Sequence, residues 1–299
     1  MRKRRLIPII AILLAAASGC SQSQQLANLE PAATAAQSKP TANADLVLIK
    51  GGAFKNTKSG YYGTEIAVAD FYIGRFEVTQ QEWAFVMGDR PSAFQGERLP
   101  VENVSWYDAI EYCNQRSVKE GLQPYYDIDR NHKDPDNHSD NDPLRWTVKI
   151  RAGADGYRLP TETEWEYAAG GGALSRSFAY SGSDDADEAA WNWRNAGDRP
   201  LSGTWNWPAI ENNRTRTHAV GGKKPNELGL YDMSGNVREW CWDWYKDPNL
   251  GSGLFRAVRG GGWIGDVGSI ETAYRGKFEA SGFGPDQGFR VSRDAETDR

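Results

Sequence analysis

The sequence predicts a single α+β domain of low regular content, with short strands and a few capped helices strung between loops. Glycine accounts for 32 of 299 residues, and short β-type runs alternate with Gly, Asn and Asp clusters, so turns punctuate the whole chain. The 12 Trp, 13 Tyr and 10 Phe can fill a sizeable core, yet little of the chain follows a helical period. A helical bundle or a doubly wound sheet is not expected from this pattern.

Residues 1–19 stand outside that domain. Arg2, Lys3, Arg4 and Arg5 precede an apolar run from Leu6 to Ala16 that is too short to span a bilayer comfortably. Ala17, Ser18 and Gly19 then lead to Cys20, an arrangement that resembles a bacterial lipoprotein signal. Cleavage there would leave Cys20 lipidated, followed by a tether over 20–45 rich in Gln, Ala, Ser and Pro, which cannot fold alone. The expected product is an exported lipoprotein of the cell or outer membrane, its 46–299 domain facing the periplasm or the exterior. Losing four of the 35 basic residues against 40 acidic ones leaves the mature chain at −9, with no electrostatic footprint for nucleic acid. Cys113 and Cys241 are then the remaining cysteines, and sequence leaves their pairing open.

Within the domain, LVLIKGGAF from Leu46 reads as a strand and turn, and Ile66 to Phe76 supplies more strand. Three helix starts carry capping boxes, at Thr79/Glu82, Ser105/Asp108 and Thr161/Glu164. The second opens a helix with an apolar stripe of Ala109, Ile110 and Cys113, stopped near Gly121. Asp127 to Asp142 reads as a solvated acidic loop: it lacks the glycine and closing Glu of a calcium loop. Gly229 to Tyr245, GLYDMSGNVREWCWDWY, is a turn running into a strand with Trp240, Trp242 and Trp244 on one face. RAVRGG and GFRV, near the C-terminus, read as paired strands framing a loop.

Taken together, LIKGGAF, FEVTQQEW, PVENVSWYDAIEYCN, YRLPTETEWEYAA, ELGLYDMSGNVREW, DWY, RAVRGGGW and GFRV resemble, in this order, the formylglycine-generating enzyme or sulfatase-modifying factor family. The resemblance spans about Leu46 to Arg293 and implies a variant of the C-type lectin fold. The family's oxidases bind copper through two thiolates after the RGGSW motif and oxidise a substrate cysteine to formylglycine. The matching positions here are Gly265 and Ile270, which cannot ligate a metal, so copper and the oxidase activity are not expected. His132, His138 and His218 offer no metal-ligand spacing, whereas paired carboxylates for hydrolysis stay open because the distance between acids is invisible in sequence. The resemblance also implies Ca²⁺ at the turn before the Trp strand, with carboxylates from Asp232 and Glu239 and carbonyls from Gly235 and Val237.

The former catalytic loop, Ile264 to Arg275, is then the candidate recognition face. Trp263, Asp266, Ser269, Tyr274, Arg275 and Phe278 are its expected binding residues, since aromatics and arginine commonly anchor interfaces. The expected role is non-catalytic binding of a protein or glycan on the cell envelope. The alternatives are a protein-modifying oxidase of the formylglycine type, or a target of a diversity-generating retroelement, a role that some relatives serve through this surface.

Overall fold

The computed structural model describes residues 45–55, 65–246 and 249–295. The expected signal 1–19, the lipidation site Cys20 and the tether up to residue 44 lie outside the described residues. Among the described residues the strands form four small sheets. The expected first strand is two, β1 (Leu46–Ile49) and β2 (Gly52–Lys55), and the next apolar run divides likewise into β3 (Glu65–Val68) and β4 (Phe71–Gly74). β2 pairs with β3, while β1 pairs with β4.

All three capping boxes form, at the starts of α1 (Gln80–Met87), α2 (Trp106–Lys119) and, later in the chain, α3 (Glu162–Ala169). In each, the hydroxyl accepts the N3 amide and the acid accepts the N-cap amide, satisfying two donors that the first turn otherwise leaves open. α2 buries Trp106, Ala109, Ile110 and Cys113 on one side, and hands over at Gly121, whose φ of +79° favours glycine. Burying an aliphatic such as Ile110 contributes about 1.5–3 kcal/mol.

The acidic stretch 127–142 is not a solvated loop throughout. Tyr126–Lys133 forms β5 and pairs with β6 (Trp146–Ile150), and Asn137, Ser139 and Asp142 are buried at the hairpin's end. Asp142 accepts hydrogen bonds from the Tyr107 hydroxyl at 2.8 Å and the Asn137 amide at 2.7 Å. The local acid count hid a residue that is buried because Tyr107, on α2, reaches it.

Two short helices follow, α4 (Ala186–Ala189) and α5 (Trp207–Asn212). The central sheet then comprises β7 (Arg238–Trp244), β8 (Arg256–Arg259), β9 (Gly276–Phe278) and β10 (Gln287–Gly288), in the order β10-β7-β8-β9. The RAVRGG and GFRV segments therefore do not pair with each other: β7 lies between β8 and β10. The last strand, β11 (Ser292–Asp294), pairs with β4 and closes the N-terminal sheet. β7 has both faces covered. Trp240 belongs to the core cluster with Trp106 and Ile110, and Trp242 packs against that same cluster. Cys241 belongs to a second cluster with Trp165 and Met233. The period of two along the Trp strand is thus read by two different cores. Cys113 and Cys241 are both free buried thiols, one in each core.

Candidate functional site

The turn that leads into β7 is built around one guanidinium. Arg290 forks onto Glu239, with Nε to Oε2 and Nη2 to Oε1 both at 2.6 Å, and all of these atoms are buried. Trp165 Nε1 also donates to Glu239 Oε2, at 2.7 Å. Arg290 further donates to the carbonyls of Gly74 at 2.9 Å and Tyr231 at 2.9 Å, so one side chain joins the N-terminal sheet, the turn and β7. Glu77 lies beside them, accepting from the Asn236 amide at 2.6 Å and the Val237 backbone at 3.0 Å. Asp232 Oδ2 accepts from the Gly221 amide at 2.6 Å, whereas its buried Oδ1 has no hydrogen-bond partner.

Three buried carboxylates around one guanidinium leave excess negative charge. Burial first, then Asp232 and Glu239, pushes the Glu77 carboxyl well above the usual range, and burial pushes Asp232 up to about 6. The donor chemistry suits a hard cation at Asp232, whose spare oxygen is unsatisfied. It does not suit one at Glu239, both of whose oxygens are held by Arg290 and Trp165. Asp232 and Asn236 both have φ of +57°, which holds the turn tightly at the strand's start.

A cleft of about 820 Å³ opens where the loop after Trp263 meets β9. Four of the candidate recognition residues, Asp266, Ser269, Tyr274 and Arg275, line it together with Trp205, Tyr245 and the Arg238–Asp286 pair. Ser269 closes a turn on Asp266, its amide at 2.8 Å from Oδ1 and its hydroxyl at 3.0 Å from the Asp266 carbonyl. Arg275 forks onto buried Glu162 at 2.5 and 2.7 Å and lies 4.6 Å over the Tyr245 ring. Behind it Arg259, wholly buried, pairs with Glu166. Tyr274 is 44% exposed and Trp205 46% exposed, so two large aromatic surfaces stand open at the rim. Such a cleft offers flat apolar contact plus charged hydrogen-bond groups held rigidly from behind.

Two of the expected binding residues lie elsewhere. Trp263 is 3% exposed, packs edge-on against Phe94 at 5.6 Å, and donates its indole N–H to the Pro285 carbonyl at 2.8 Å. It supports the cleft from behind, because an indole of that size after three glycines is drawn into the core. Phe278 is half-buried, 6.0 Å from Trp240 and under the Arg238 guanidinium at 5.5 Å, and it does not line the cleft.

Neither position set against the family's thiols by counting from Trp263 carries a sulfur, and the backbone at Gly265 leaves no room for one. A Cβ at Gly265 would meet the Gly261 carbonyl oxygen at 2.5 Å and Ser269 Oγ at 2.8 Å. Ile270 is fully buried and, with Ser269, lies against Gly261. Several participants escaped sequence reasoning: Glu77, Arg290 and Glu162, which act across long chain separations, and Trp205, in an otherwise unremarked loop. The GFR of GFRV was the available signal for Arg290.

This arrangement defines a lectin-like α+β fold with a cleft walled by glycine-tight backbone and braced arginines. The chain belongs to the sulfatase-modifying factor enzyme 1-like domain family, whose model matches residues 31–295. It is 55% identical over 285 residues to a protein named chaperone protein LppX from Paenibacillus barcinonensis, covering 95% of this chain and 98% of that one. It is 33% identical over 196 residues to the formylglycine-generating enzyme of Streptomyces coelicolor, covering 61% of this chain and 48% of that enzyme. The structure named Treponema denticola variable protein 1 superposes with a TM-score of 0.69 at 32% identity, covering 84% of this chain and 95% of that one.

Proposed function

We propose that this protein is a membrane-tethered, non-catalytic chaperone-type protein of the cell envelope, which holds a partner polypeptide at the cleft between the Asp266–Ser269 turn and β9. The observation that carries the reading is the state of the thiol positions. A Cβ at Gly265 would lie 2.5 Å from a backbone oxygen, and Ile270 is part of the packed interior, so copper-thiolate chemistry has no foothold. Similarity to a protein named a chaperone, over nearly the full length of both, supports binding in place of catalysis. The exposed Tyr274 and Trp205 faces beside Asp266 and Arg275 supply the mixed apolar and charged contacts that polypeptide recognition uses. In this reading the signal over 1–19 and Cys20 place the domain outside the cytoplasm.

The reading includes Ca²⁺ at the turn, held by Asp232 with carbonyls of Gly235 and Val237, while Arg290 serves Glu239. Its role is charge balance among buried carboxylates. Chelator treatment of a calcium-loaded sample should then lower the melting temperature by several degrees. An unmoved melting temperature would remove calcium from the account.

The functional test is the yield of folded exported proteins in cells lacking the gene. Restoration by the wild-type chain, and none by Ser269→Trp, which fills the cleft, is the expected result. Copper-dependent oxidation of a cysteine-bearing peptide by the purified protein would overturn the reading in favour of an enzyme.

A further inference from the structure

A second pocket, of about 680 Å³, lies between the β5–β6 hairpin and the far end of β7, and shares no lining residue with the cleft. Its inner wall holds Arg256, 4% exposed, whose guanidinium lies 3.7 Å from the Trp106 ring centroid and 3.6 Å from that of Trp244. Nη1 donates to the Trp242 carbonyl at 2.8 Å, but Nε has no hydrogen-bond partner. Among the described residues Arg256 forms no ion pair. The nearby Asp243 directs Oδ2 to the Glu162 amide at 2.6 Å instead. A buried guanidinium with five N–H donors ordinarily finds a carboxylate, and here two indole faces stand in for one. Burial lowers its pKa to about 10, as expected of a charge without a matching anion.

The pocket's rim narrows the ligand. Asp134 and Asp136 approach from the hairpin, with Thr147 and Lys149 from β6. A plain anion drawn to Arg256 would meet those acids unfavourably. A molecule that brings a carboxylate for Arg256 and hydroxyl donors for Asp134 and Asp136 satisfies both, and its flat body can rest against Trp244, with Trp242 beside it in the lining. We propose that this pocket binds a carboxylated sugar, with its carboxylate on Arg256 and its hydroxyls on the hairpin acids. The site is independent of the cleft and of what the cleft holds.

The test uses the mature chain with ¹⁵N-labelled indoles, titrated with sodium glucuronate, glucose and sodium acetate. Glucuronate should shift the Trp242 and Trp244 indole resonances saturably, with a millimolar dissociation constant, and glucose and acetate should bind at least about tenfold more weakly. Arg256→Gln should abolish the glucuronate response. Should that variant fail to fold, Asp134→Ala at the rim should weaken glucuronate severalfold and leave the acetate response unchanged. No saturable shift up to about 50 mM glucuronate overturns the proposal. So does equal binding of acetate, a folded Arg256→Gln variant that still binds, or displacement of glucuronate by a peptide bearing only a free C-terminal carboxylate.

Discussion

The two ends of the Gly229–Tyr245 segment have similar chemistry and opposite designs. At its start, Glu77, Asp232, Glu239 and Arg290 are buried and bonded across the whole chain. At its finish, Tyr245 joins Tyr274, Asp266 and Arg275 around an open cleft. Charges in the first region hold three segments together, and losing one leaves another stranded without water. Charges in the second are braced by buried Glu162 and Glu166 but keep a face outward. The same residue types make a staple or a binding surface according to how many of their donors and acceptors the fold consumes.

The largest way to break the comparison is at the staple. Arg290→Met would strand Glu239 beside two other acids and should cost about 3–5 kcal/mol, with chemical denaturation as the readout. A loss below about 1 kcal/mol would mean that the carboxylates are satisfied without the guanidinium.

Next in size is Gly265→Cys combined with Ile270→Cys. The first Cβ would meet backbone oxygen at 2.5 Å, so overpacking should cost about 1–3 kcal/mol. A copper titration of the double variant should show no tight site. Tight thiolate binding with unchanged stability would show that the closed loop reopens readily.

Glu102 sharpens the contrast from behind the cleft. Its Oε1 accepts the Phe94 amide at 2.9 Å, its Oε2 is buried without a hydrogen-bond partner, and Phe94 packs on Trp263. Burial raises its pKa to about 7. A raised carboxyl pKa means that the folded state binds the proton more tightly. Its contribution is therefore full below the unfolded value near 4.5 and is lost as pH climbs through about 7. Glu102→Gln should flatten the fall in stability across that window, gaining on the order of 2 kcal/mol at pH 8 and little at pH 4. Parallel stability profiles of the two proteins would contradict this assignment.

The smallest effect on folding should come from the cleft itself. Tyr274→Ala should change stability by less than about 0.5 kcal/mol, because the ring is 44% exposed, yet it should reduce rescue of exported-protein yield. A large loss of stability would mean that Tyr274 is part of the framework.

Much of the fold was legible because its signals are local. Each capping box couples residues three apart, the Trp strand's alternation needs seven consecutive residues, and the missing thiols are a matter of counting from Trp263. The acidic hairpin misled because Asp142 is held by Tyr107, 35 positions away. The RAVRGG and GFRV strands misled because the strand between them comes from earlier in the chain.

The sequence by itself determined where three helices begin, that the Trp residues of β7 alternate, the family resemblance and the absence of cysteine at positions 265 and 270. These follow from backbone geometry and residue chemistry over a few positions. Only the tertiary structure decided that Arg290 takes Glu239, that Glu77 crowds Asp232, and that Trp263 faces inward while Tyr274 faces out. Those outcomes depend on side chains separated by tens to hundreds of residues competing for the same buried hydrogen bonds, and that competition is settled when the sheets close around β7.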